Sequence, residues 1–281
     1  MKRLLISALL YGLLTTTFAQ VTKSGSGTVT TTVDSSSIKI DTTKKKRGIK
    51  ITFGGDGNIY SRYDTTKSHV VKKSSKFNFG FTFSRFDLGF SRLVDNGSFT
   101  LSPQNKFLDY KGGKTAYVGF DVLQMGYRFN PYFKIYLAGG FDWTLIRLRQ
   151  NITIQENAST LTYTTDNVSY DKNRFSASYL RIPLAFDFRT KDDKRGNKFH
   201  FTAGPEIGFL LNGKVKQISD EMGKKKFYDN YHFSQFRYGA YARAGYKSLG
   251  LFVKYYQNGL FENSPAQNGL KSLNFGLTFG L

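Results

Sequence analysis

The strongest constraint on this chain is a period-two alternation of apolar and polar residues. It recurs in eight runs: 76–92, 115–129, 132–149, 174–189, 198–212, 235–247, 249–260 and 271–281. Successive side chains of a strand point to opposite faces, so each run predicts a strand with one apolar and one polar wall. In 174–189, Leu180, Ile182, Leu184, Phe186 and Phe188 share one face, against Tyr179, Arg181, Ala185 and Asp187. In 198–212, Phe199, Phe201, Ala203, Ile207, Phe209 and Leu211 oppose His200, Thr202, Gly204, Glu206, Gly208 and Asn212. In 132–149, Phe133, Ile135, Leu137, Phe141, Trp143 and Leu145 oppose Lys134, Tyr136 and Asp142. In 235–247, Phe236, Tyr238 and Ala240 continue on one face, and Arg237, Tyr241 and Arg243 on the other. Two runs break phase, one between Phe83 and Phe86 and one between Val122 and Leu123, as a β-bulge would cause.

The connections alternate in length. Residues 93–114, 150–173, 213–234 and 261–270 are long and polar, whereas Asn130-Pro131, 190–197 and Ser248 are shorter. An even strand number with long loops at one end and short turns at the other is the pattern of bacterial outer-membrane barrels. The expected fold is therefore all-β: an eight-stranded antiparallel up-and-down transmembrane β-barrel over 76–281, with both termini periplasmic. A soluble lipocalin-like barrel or β-sandwich would turn the apolar wall inward instead. The membrane version is favoured because the opposite wall gathers charges from several strands and is rich in glycine, as a narrow lumen requires.

The N-terminal part reads differently. Lys2 and Arg3, the apolar run Leu4–Leu14 and Ala19 before Gln20 have the order of a cleaved secretory signal over 1–19. The apolar run is too short to span a bilayer, which takes about 20 residues. Residues 20–75 are expected to be a flexible polar periplasmic extension, with a small hairpin at 48–63 around Gly54-Gly55-Asp56-Gly57-Asn58. The chain has no cysteine, so an exported fold must hold without disulfides.

The inward charges expected from this pattern are Asp142, Arg181, Asp187, Glu206, Arg237, Arg243 and Lys254. Buried charges are tolerated when paired, so both signs are expected to form a network that plugs the lumen. The alternative use of the same residues is a narrow path for ions or small solutes. The formal charge of +21 points to anionic lipid and lipopolysaccharide rather than nucleic acid, which an exported protein rarely meets. The histidines His69, His200 and His232 have no metal-ligand spacing, so neither a metal nor a cofactor is expected. A lipid-modifying enzyme would need His200 beside Ser176 or Ser178, and the expectation is that the protein is not an enzyme.

The chain ends with Leu273, Phe275, Leu277, Phe279 and Leu281 on one face. Asn274, Gly276, Phe279 and Leu281 fill the spacing of the assembly signal through which outer-membrane barrels engage the barrel-assembly machinery. Such signals more often end in an aromatic residue, and Leu281 departs from that. Together with FDLGFSRLVDNGSFTL (86–101), NKFLDY (105–110), SYLRIPLAFDF (178–188), KFHFTAGPEIGFLLNGKVK (198–216) and FRYGAYARAGYKSLGLFVKYYQNGLF (236–261), this stretch resembles the porin-like outer-membrane β-barrel domain family that includes PorT-like proteins. The resemblance implies a barrel in the outer membrane. It also implies a structural or interaction role in the envelope with a protein partner, since some PorT-like members support protein secretion.

Overall fold

The computed structural model describes residues 76–82, 85–193 and 196–280. The expected signal, the polar extension with its 48–63 hairpin, His69 and Leu281 lie outside these residues. The strands are β1 (Phe77–Phe81), β2 (Phe86–Asp95), β3 (Ala116–Asn130), β4 (Phe133–Arg147), β5 (Ile152–Ile154), β6 (Tyr163–Thr165), β7 (Lys172–Arg189), β8 (Phe199–Ser219), β9 (Gly223–Asp229), β10 (Phe236–Tyr246), β11 (Leu249–Tyr256) and β12 (Leu270–Phe279). Pairing runs β2–β3–β4–β7–β8–β10–β11–β12, every pair antiparallel, and β12 pairs back onto β2. Eight strands thus close an up-and-down barrel, and closure removes the open edges that a sheet would otherwise expose.

The expected alternation sets the barrel's two faces. Phe86, Leu88, Phe90, Leu137, Phe199, Phe201, Phe209, Phe236, Leu251, Val253, Phe275, Leu277 and Phe279 are exposed on the outer wall. Asp87, Asp142, Arg181, Glu206, Arg243, Lys254 and Asn274 are buried on the inner one. An apolar outside around a polar inside is the inverse of a soluble barrel and suits a hydrocarbon solvent. Rings stack around the short-turn end: Phe129 on Phe133 at 5.4 Å, Phe133 on Phe188 at 4.9 Å and Phe188 beside Phe201 at 6.5 Å. Such a belt of aromatic residues marks the level of a membrane interface.

Both breaks in phase have structural causes. The first barrel strand is interrupted: β1 pairs with Leu123–Tyr127 of β3 and β2 with Ala116–Phe120 of the same strand. The second is a register shift between Asp121 and Leu123 against β4, which inserts Val122 as an extra residue. At the closing seam Gly89 stands opposite Gly276, and a Cβ on Gly89 would fall 2.1 Å from the Phe275 carbonyl oxygen. Only glycine permits so close an approach of the two strands.

The long connections differ from expectation. Residues 213–234 are not a loop: β8 runs on to Ser219 and folds back as β9, making a hairpin that extends beyond the lipid-facing wall. The 150–173 stretch contains the β5–β6 hairpin and the start of β7. A second register shift, at Ser178/Tyr179 against β8, makes Leu211 the extra residue and leaves Asn212 exposed rather than in the lumen. The short connections at Asn130-Pro131 and Ser248 hold as turns. In one, the Asn130 side-chain oxygen accepts from the backbone N–H groups of Tyr132 and Phe133, both at 2.8 Å, which closes β3 onto β4.

Candidate functional site

Two layers fill the barrel along its axis. The central layer is charged. Arg181 of β7 reaches across the lumen to Asp87 of β2 at 2.9 Å and to Asp121 of β3 at 2.7 Å. Arg243 of β10 grips the same Asp87 with two nitrogens, at 3.2 and 2.7 Å. Lys254 of β11 lies 3.0 Å from Glu206 of β8 and 3.5 Å from Asp87. Arg237 pairs with Asp142 at 2.5 Å, and its guanidinium is sandwiched between the rings of Tyr179 and Tyr256, 3.7 and 4.0 Å from their centroids. Tyrosine hydroxyls join the pairs: Tyr117 donates to Asp142 at 3.0 Å and Tyr256 to Glu206 at 2.6 Å, while the Tyr117 oxygen accepts from Lys254 at 3.0 Å. Arg85 extends the network to Asp121 at 3.3 Å. Desolvated ions need such dense pairing, because an unpaired charge in this setting is strongly destabilising.

Of the charges expected inside, Asp142, Arg181, Glu206, Arg237, Arg243 and Lys254 come together in this layer. Asp187 does not; it sits in a separate group, hydrogen-bonded to Arg189 at 2.6 Å and to Thr202 at 3.2 Å, with His200 3.9 Å away. Tyr179 lies on the wall expected for it, whereas Asp87, Asp121, Arg85, Tyr117 and Tyr256 were not among the residues expected inside. Asp87 and Asp121 lie next to the two phase breaks, where alternation cannot assign a face. Tyr117 and Tyr256 carry a polar tip on an apolar ring, so neither gives a clear inward signal on its own.

The second layer is apolar and closes the long-loop end. Leu93, Phe107, Leu108, Ile146, Ile152, Phe175, Val215, Tyr231, Phe233, Phe261 and Leu270 form one buried cluster. Phe233 stacks on Phe175 at 4.6 Å and on Phe261 at 5.1 Å. Side chains lock the connections into this cap. Asp95 accepts from the Ser102 N–H at 2.7 Å and from the Asn105 amide at 2.9 Å. The Asn173 amide donates to the Ile152 carbonyl at 2.6 Å, and the Leu161 N–H to Ser264 Oγ at 3.1 Å. Where the layers meet, Tyr179, Arg237, Tyr256, Leu260 and Ser272 line a cavity of about 10 Å³, room for a single water.

The remaining expected residues are scattered. His200 is buried on the lumen side, whereas Ser176 and Ser178 share the outer face and donate to the carbonyls of Lys214 and Asn212, at 3.2 and 3.1 Å. The structure does not bring the histidine and these serines together. His232 contacts the Ala158 carbonyl at 2.9 Å. Among the described residues, no group of three or more His, Asp or Glu is placed to hold a metal ion, and no helix is long and apolar enough to cross a membrane. Of the assembly-signal residues, Asn274 and Gly276 face inward on β12 and Phe279 is exposed outside.

An apolar outer band, an aromatic belt and a closed ring of strands around a polar interior define an integral membrane β-barrel. Residues 74–264 match the family described as outer membrane protein beta-barrel domain, and the chain belongs to that family. It is an outer-membrane β-barrel protein. No curated protein matches the sequence.

Proposed function

We propose that this barrel is a non-conducting, non-enzymatic scaffold of the bacterial envelope, anchored in the outer membrane to present its long-loop cap to the exterior and its termini to the periplasm. The observation that carries this reading is the filling of the lumen by two successive layers, an ion-pair layer and an apolar cap. A solute path would need those layers to part. An eight-stranded barrel has an interior just wide enough for side chains to fill, which agrees with a plug rather than a channel. The orientation follows the general arrangement of such barrels, with long connections outside and short turns in the periplasm.

Within this reading the protein works through partners: outer-membrane lipid and lipopolysaccharide around the wall, the barrel-assembly machinery during insertion, and an envelope protein engaged by the cap or the periplasmic extension. PorT-like support of protein secretion is the specific role we adopt for it. The resemblance quoted above supports that role, which does not map onto individual residues. The separation of His200 from Ser176 and Ser178 supports the absence of catalysis. Two measurements test the proposal. Purified protein in planar bilayers should give no single-channel steps, and photo-cross-linking in cells should capture a defined envelope protein. Steady conductance by the wild type would refute the scaffold reading.

A further inference from the structure

The outer wall does not keep one character up to the cap. On β4, β7, β8 and β9 its outward positions turn from apolar to cationic over three steps of the ladder. Trp143 pairs with Ser178 and Ser178 with Asn212; one step higher, Leu145, Ser176, Lys214 and Tyr228 align. The next outward row consists of Arg147, Arg174, Lys216 and Lys226, each in register with the next across four adjacent strands. Above it, Lys172, Ile218 and Lys224 align in the same way. The residues between these rows, Ile146, Phe175 and Val215, point inward into the cap cluster, so the cations share the outer face.

Like charges placed directly opposite on neighbouring strands destabilise a sheet. Here Lys216 stands between Arg174 and Lys226 in one row, with Lys172 and Lys224 in the row above. No ion pair is made by the four cations of the full row among the described residues. Arg147 donates to the Asp171 carbonyl oxygen, and the Asp171 carboxylate is the nearby acid that bears on it. The buried Nε of Arg174 has no hydrogen-bond partner. Directly below the row is a cleft of about 180 Å³ lined by Trp143, Arg174, Ser178, Asn212, Lys214 and Tyr228, with the Lys214 ammonium 4.8 Å from the Tyr228 ring centroid. The outward row next below Trp143 and Ser178 is Phe141, Leu180 and Phe209, in register on the lipid-facing wall.

We propose that this row and cleft form a binding site for the phosphorylated headgroup of an outer-leaflet lipid, the lipid A part of lipopolysaccharide. Its acyl chains would lie on the β4–β7–β8 wall and its phosphates against Arg174, Lys214 and Lys216. A phosphate relieves the repulsion in the row. Arginine and lysine are the side chains suited to it, and the aromatic residues sit at the interfacial level. A soluble acidic protein would meet the same charge, but it would not need a cation row joined to a lipid-facing wall. The assignment rests on the orientation proposed above, with the long-loop end outside.

Trp143 is the chain's single tryptophan and it lines the cleft, so its fluorescence reports occupancy. The experiment titrates the full-length protein in detergent micelles with bisphosphorylated lipid A, dephosphorylated lipid A and inorganic phosphate. Saturable change with the bisphosphorylated lipid is expected, about tenfold tighter or more than with the dephosphorylated lipid. Inorganic phosphate alone should compete only weakly. Arg174→Glu with Lys216→Glu should lose binding by about tenfold or more, and Lys216→Arg should retain it. A gel-mobility assay of unheated samples verifies that each variant is folded. Equal binding of the dephosphorylated lipid, or wild-type binding by the folded double variant, would overturn the site. Because the chain has no cysteine, Met222→Cys at the β8–β9 turn can be labelled uniquely with an impermeant reagent on intact cells. External labelling without lipid A binding would overturn the site and leave the orientation standing. Binding without external labelling would overturn lipid A as the occupant, and the orientation with it.

Discussion

Asp87 is a hub of the charged layer, because three cations from three strands converge on its carboxylate: Arg181, Arg243 and Lys254. Asp87→Asn keeps the shape and removes the charge, which leaves those cations crowded in a dry interior. Breaking a buried ionic set from one side costs about 3–5 kcal/mol. The variant should therefore unfold at markedly lower urea concentration in lipid vesicles, read as loss of the folded band on unheated gels. An unchanged midpoint would mean that the layer is hydrated and weakly coupled. Asn274 presents the opposite case. It is fully buried on β12, yet neither its oxygen nor its nitrogen has a hydrogen-bond partner among the described residues. A buried amide without partners does not hold the finished barrel together, because its desolvation is uncompensated. Its position in the expected assembly signal gives it another use. Asn274→Ala should leave the unfolding free energy measured in urea within about 1 kcal/mol of wild type while lowering the yield of inserted barrel in cells. A large drop in the midpoint with normal insertion would contradict this division of labour. The sequence revealed Asn274 through its spacing from the chain end, but it hid Asp87, because the interruption between β1 and β2 erases the phase just before that residue.

At the scale of elements, the barrel strands were legible wherever lipid set their polarity, and illegible where it stopped doing so. In the lipid band an apolar residue means outside. Beyond it the rule inverts: Val215 and Phe175 point inward to the cap, while Lys214, Lys216 and Arg174 face out. The extra residue at Leu211 marks the switch on β8. Read with the lipid rule, 213–234 and 150–173 look like polar loops, although 151–155 and 213–216 still alternate with the sign reversed. The β8–β9 hairpin is the clearest consequence. Among the described residues its outer strand β9 has a strand partner on one side only, and Lys224, Lys225 and Lys226 occupy it. Lysines on an open edge oppose pairing with a second chain. Replacing all three with threonine should raise the fraction of dimers and higher oligomers seen by light scattering in detergent, without changing the monomer's strand content by circular dichroism. A variant that stays monomeric would show that the edge is shielded by other means.

At the scale of the whole molecule, the two layers act as barriers in series, and this arrangement makes a prediction that neither layer makes alone. The cap is held by packing, so Phe175→Ala with Phe233→Ala should loosen it, at about 3–5 kcal/mol for each ring lost. The charged layer beneath would still span the lumen through Arg181, Asp121 and Asp87. The cap variant should therefore remain silent in planar bilayers. The charged layer is best opened by removing a cation and an anion together, because taking only one strands its partner. Arg181→Ala with Asp121→Ala removes the cross-lumen strut at constant net charge, yet the stacked rings of Phe175, Phe233 and Phe261 would still close the long-loop end. That variant should be silent as well. Only the combination of all four substitutions should produce intermittent current steps, with water able to enter from both ends. If the cap variant conducted alone, the ion-pair layer would be a wet, permeable region, and the reading of this barrel as a scaffold would give way to that of a gated pore.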